Sequence, residues 1–180
     1  MGVDSGFVLL LSCMFWFLLR IVIWIWNKNF SFVKETKLCF LFFSFAFIYA
    51  YTIAPFPFIL EGPIYEFRRQ YNLIPFSSII GSLNHFYIMV PIRNIGGNIL
   101  LFIPLGFSIA NMFPHFSWKK VIILGAITSL LVELIQLNMP LRSLDIDDLL
   151  LNTIGTAVGY LSFKLVKKFL VNRGKKYYEM

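Results

Sequence analysis

The chain has 180 residues, 58% of them apolar, a mean hydropathy of +0.75 and only 14% charged residues, against about 25% charged in soluble domains. That composition excludes an ordinary soluble domain, and the length allows one compact helical unit. The formal charge of +7 does not point to nucleic acid, because the basic residues flank apolar runs, where membrane topology places them.

The first apolar run is about Phe7 to Trp26. It opens without a basic region and closes on Trp-Ile-Trp, so it reads as a retained helix with an aromatic belt. Arg20, near that end, is expected to snorkel to the interface. A basic loop with Lys28, Lys34 and Lys37 precedes the second run, Leu38 to about Ile53, which two prolines stop at Ala54-Pro-Phe-Pro-Phe58. Cys13 and Cys39 lie in or at the edge of apolar runs, a setting that argues against a disulfide or a metal site.

Residues 61–94 contain no spanning run. Glu61, Glu66, Arg68 and Arg69 make the first half water-facing, and Asn72-Leu-Ile-Pro-Phe76 is a turn signal. Ile79–Ile92 is too apolar for a free loop and too short to span, so it is expected to be interfacial or re-entrant, with His85 near the headgroups. The third run extends from about Ile95 to Phe113, with a kink or loosened backbone expected at Pro104 and Gly106. The fourth is Val121–Leu137 and the fifth Leu149–Val166, followed by a basic tail. The expected fold is all-α: a bundle of five transmembrane helices. Its parts are residues 1–37, an N-terminal helix and basic loop; 38–167, the main membrane domain; and 168–180, a cytoplasmic tail.

Orientation follows from the basic residues. With the amino terminus outside, the inner side carries eleven Lys and Arg and the outer side four: Arg68, Arg69, Arg93 and Arg142. The carboxyl terminus is therefore expected inside, in a multi-pass protein of a bacterial cytoplasmic membrane.

This orientation gathers the polar residues of the runs at the outer end. Asn94 and Asn98 open the third run, Glu133 and Gln136 close the fourth, and Arg142, Asp145, Asp147, Asp148 and Asn152 surround the start of the fifth. A carboxylate in an apolar run needs a partner or a purpose, and Gln136, Arg142 and Asn152 are the candidates for Glu133. Small-residue stripes (Gly125, Ser129, Glu133; and Gly155 with Asn152, Thr156, Gly159) favour close packing of the last three helices, with Asn98, Glu133 and Asn152 converging. Structural roles compete. Ser143 or Asp145 can cap the fifth helix, the amides can be interhelical glue, and capping or solvation is the favoured reading for Asp147 alone. Asp145, Asp147 and Asp148 lack the loop geometry of a cation site, and His85 with His115 lacks a metal spacing. No metal or cofactor motif is found, and no nucleophile elbow, phosphate loop or dinucleotide fingerprint.

Four stretches together resemble the VanZ-like family: Asn72-Leu-Ile-Pro-Phe76; Asn94-Ile-Gly-Gly-Asn98 with Leu-Phe-Ile-Pro-Leu-Gly-Phe107; Glu133-Leu-Ile-Gln136; and Arg142-Ser-Leu-Asp-Ile-Asp-Asp148 through Gly155. The resemblance covers about residues 40–167, leaving the first helix and the tail outside. It implies a small integral membrane protein, the family's namesake being associated with resistance to the glycopeptide teicoplanin, and it implies no agreed biochemical activity. Two functions are therefore carried forward. One is a non-catalytic envelope protein that lowers glycopeptide access at the outer leaflet, its ligand site formed by Asn94, Asn98, Glu133, Gln136, Arg142, Asp145, Asp148 and Asn152. The other is an outer-face enzyme acting on a lipid-linked or cell-wall precursor, with Glu133 as acid or base and Arg142 holding an anionic headgroup. A proton-coupled carrier is weaker, since no internal repeat is found. Expected partners are membrane lipids and a glycopeptide or precursor.

Overall fold

A computed structural model of the chain describes residues 5–28, 30–53, 70–137, 139 and 142–178. The expected breaker at Ala54–Phe58 and the charges at 61–69 lie outside the described residues. Six helices follow in order: α1 (Ser5–Asn27), α2 (Phe32–Thr52), α3 (Ser77–Leu83), α4 (Met89–Met112), α5 (Trp118–Gln136) and α6 (Ile146–Tyr178). The expectation of an all-helical chain needs one amendment. Two three-residue strands, β1 (Gln70–Asn72) and β2 (Ser143–Asp145), pair in parallel, with Asn72 opposite Asp145.

Three stretches are long and apolar enough to cross a bilayer: Gly6–Trp26, Met89–Met112 and Ile146–Asn172. α2 and α5 are 21 and 19 residues long but begin with charged turns, Lys34-Glu-Thr-Lys37 and Lys119-Lys120. α1 exposes apolar side chains from Phe7 to Trp26 on all but the face that carries Cys13, Trp16, Arg20 and Trp24, the pattern of a helix whose solvent is lipid. It meets α2 through the stacked rings of Trp16 and Phe42, 4.5 Å apart, and through an ion pair between Arg20 and Glu35. Arg20 thus finds a carboxylate at the start of α2, a partner more specific than the interface alone.

α4 starts at Met89, ahead of the expected Ile95. Pro91 fits there because the first turn of a helix has no use for its missing N–H. The next five residues, Ile92–Gly96, form a π-helical turn, so the irregular turn of this helix precedes Pro104, through which α4 continues. Pro114 follows its end, where the residue before proline leaves the helical region. The segment 79–92 is correspondingly a short helix, a turn and the first turn of α4. It exposes Ile80, Leu83, Phe86, Tyr87, Ile88 and Met89.

α4, α5 and α6 pack as the small residues require. A Cβ on Gly155 would overlap the Ile99 carbonyl, and one on Gly159 the Ile103 carbonyl, so α6 lies directly on the α4 backbone. Gly125 receives the Thr156 side chain, and Ser129 accepts a hydrogen bond from Asn152 Nδ2 at 2.9 Å. The stripes therefore meet with Gly125 against Thr156 and Ser129 against Asn152. α2 completes the bundle through Ser44 and Ser108, 2.9 Å apart, and through a core of Ile48, Leu101, Phe102, Leu105, Ile109, Val121 and Val132.

Candidate functional site

The carboxyl ends of α2 and α5 and the amino ends of α4 and α6 lie at one end of the bundle. The polar groups there come together because the β1–β2 pair fastens the Asn72–Ser78 turn to the start of α6. Asn72 accepts the Ile74 N–H at 3.3 Å and donates to Ser78 Oγ at 2.8 Å and to the Asp145 carboxylate. Phe76 takes a left-handed conformation (φ 66°), unusual for a residue with a side chain. Its N–H is held by Asp147 Oδ1 at 2.6 Å. Asp147 Oδ2 accepts from Ser78 N and Ile79 N at 2.8 and 3.2 Å, so this fully buried carboxylate caps α3. Capping is thus its role, though of α3 and not of its own helix, and solvation is excluded.

Asp145 does cap its own helix: its Oδ1 accepts the Asp147 N–H at 2.9 Å. It also receives the Ser78 hydroxyl. Glu133, 2% exposed, accepts the Asp145 backbone N–H through Oε2 at 2.8 Å. That bond replaces the expected contact with Arg142, which is exposed and forms no ion pair with Glu133. The strand Ser143–Asp145 follows Arg142 directly, and the strand's backbone, not the arginine head, reaches the carboxylate. Gln136 is buried and donates to the Thr52 carbonyl at 3.0 Å, tying α5 to the end of α2. Asn94 donates to Ser82 Oγ at 3.2 Å and Asn98 to Asp148 Oδ1 at 2.5 Å.

All eight residues singled out from the sequence line one cleft of about 560 Å³: Asn94, Asn98, Glu133, Gln136, Arg142, Asp145, Asp148 and Asn152. Arg93, Ser78 and Ser82 line it as well. Asn72, just behind Asp145, is the participant that sequence reasoning left in a turn; its position within the Asn-Leu-Ile-Pro-Phe signal, followed by Ser78, was the available clue. Among the described residues no three His, Cys, Asp or Glu side chains are grouped to hold a metal ion. The volume is that of a site for a small molecule or a headgroup.

Span-length apolar helices closed over a polar cleft at one end define a small helical membrane protein. The family described as VanZ/LLP1 matches residues 7–167, nearly the whole chain, and the chain belongs to that family. The match takes in α1, which the sequence resemblance had left outside. No curated protein and no solved structure matches it.

Proposed function

We propose that this VanZ-like protein crosses a bacterial cytoplasmic membrane five times, amino terminus out, and lowers the action of teicoplanin-type glycopeptides at the outer leaflet. The lengths of α2 and α5 support two further spans, since about 20 helical residues cover the hydrocarbon core. The basic asymmetry supports the orientation and turns the polar cleft outward. The observation that carries the reading is the cleft itself: eight polar side chains around about 560 Å³ beside an exposed apolar segment at 79–92. A polar pocket with an apolar shelf suits the head and chain of an amphiphile. It is too small for a whole glycopeptide, so the protein acts by engaging a membrane amphiphile and denying the antibiotic's acyl chain its anchorage.

The test compares susceptibility to teicoplanin and to a glycopeptide lacking the acyl chain, in cells with and without the gene. Protection against the acylated compound alone is expected; equal protection against both, or against neither, rejects the reading. The enzymatic alternative draws on Glu133 and Asp148, two carboxylates on one cleft. It requires that Glu133→Gln, at constant protein level, change the pool of lipid-linked precursors, whereas a binding protein leaves that pool as it is.

A further inference from the structure

Hydrogen bonding divides the acidic groups of the cleft into two kinds. Asp147 is occupied by three backbone N–H groups, and Asp145 by Ser78, Asn72 and the Asp147 N–H. These two hold the fold. Glu133 and Asp148 each accept through one oxygen only, Oε2 and Oδ1, so among the described residues Glu133 Oε1 and Asp148 Oδ2 meet no donor. Asn152, 2% exposed, gives its amide N–H to Ser129 and keeps Oδ1 buried, with no partner among the described residues.

A buried acceptor without a donor is costly, and such groups call for an explanation. Here one such carbonyl and two half-used carboxylates line a single cavity. Arg93 and Arg142 line the same cavity but are exposed, so the cleft is acceptor-rich inside and cationic outside. The chain between the cleft residues Ser82 and Arg93 exposes Phe86, Ile88 and Met89, and Ile80 just before it is exposed too, so an apolar shelf is available there.

We propose that the cleft takes a lipid headgroup in which a phosphate carries a primary ammonium. The ammonium donates to Glu133, Asp148 and the Asn152 carbonyl, while the phosphate meets Arg93 and Arg142. A primary ammonium offers three N–H donors, one for each open acceptor, and guanidinium groups are well shaped for phosphate oxygens. The acyl chains lie along the 79–92 shelf. A quaternary ammonium has charge but no N–H, and a lipid without an amine brings no cation to the two carboxylates. This inference rests on the reading of the cleft as a headgroup site and adds the class of headgroup.

The full-length protein is reconstituted with equal amounts of phosphatidylethanolamine, phosphatidylcholine and phosphatidylglycerol, and the retained lipid is quantified by native mass spectrometry. Phosphatidylethanolamine should be enriched about tenfold over the other two, the ratio expected from one differential interaction of about 1.4 kcal/mol. Asp148→Asn, which preserves shape and the acceptor for Asn98, should bring the enrichment close to the bulk ratio, whereas Arg93→Gln, at an exposed position, should lower retention of all three lipids, which share the phosphate, and leave the ratio between them. Equal retention of the three lipids, or preference for phosphatidylglycerol, overturns the inference. Phosphatidylcholine held as firmly as phosphatidylethanolamine overturns it too, because it shows that N–H donation is not used. Displacement of the lipid by free phosphoethanolamine supports the headgroup chemistry, with a soluble source; resistance to that displacement supports the lipid. The assay contains no antibiotic. Its failure therefore leaves the susceptibility result standing, and an absent susceptibility phenotype with intact lipid enrichment sinks only the resistance reading.

Discussion

Asp147 is buried completely, yet its charge is well placed, because both oxygens accept backbone N–H groups of the Phe76–Ile79 turn. Removing it leaves three donors unmet and releases Phe76 from its left-handed conformation. Asp147→Ala should cost on the order of 3–5 kcal/mol and lower the thermal midpoint of the detergent-solubilised protein sharply. Asp147→Asn keeps one acceptor and should fall between. A variant as stable as the parent would show that Asp147 does not clamp the turn. Arg142 is the contrasting case: it is exposed and forms no ion pair with Glu133. Arg142→Gln should leave protein abundance unchanged, within about 0.5 kcal/mol of stability. Glu133→Gln should also be tolerated, because its amide oxygen can still accept the Asp145 N–H. A collapse of abundance in Arg142→Gln, rescued by adding Glu133→Gln, would instead demonstrate an Arg–carboxylate pair.

At the scale of elements, the glycines separate into two classes. Gly155 and Gly159 sit against α4 carbonyls with no room for a Cβ, whereas Gly96 and Gly97 face open space. Gly155→Ala or Gly159→Ala should push α6 off α4 and cost about 1–3 kcal/mol, as overpacking does. Gly97→Ala should be neutral or stabilise by up to about 1 kcal/mol, since alanine lowers the conformational entropy of the unfolded chain and fits a helical position with open space around it. Thermal unfolding of the three variants side by side checks this, and equal effects would contradict the α4–α6 contact. The sequence carried the small-residue spacing of these helices clearly. The alignment of one stripe on the other, Ser129 with Asn152 and Gly125 with Thr156, was not in it, because a repeat every four residues permits several offsets.

For the whole molecule, orientation decides whether the cleft faces the envelope. A reporter active only outside the cytoplasm, fused after Met180, should be silent, and the same reporter placed at the amino terminus should be active. Activity of the carboxyl-terminal fusion would turn the cleft inward and end the envelope reading. The helical class, the five apolar runs and the polar residues at one end could all be read from the chain, because hydropathy and helical period are local properties of sequence. Every residue singled out as a ligand candidate lines the same cleft. What each does there only the tertiary structure decided. The parallel pairing of Gln70–Asn72 with Ser143–Asp145 joins segments about seventy residues apart. No periodicity announces that contact. It assigns Asp145 and Asp147 to the fold and gives Glu133 a backbone N–H in place of an arginine, because hydrogen-bond partners are set by which backbone groups arrive and not by which side chains carry charge.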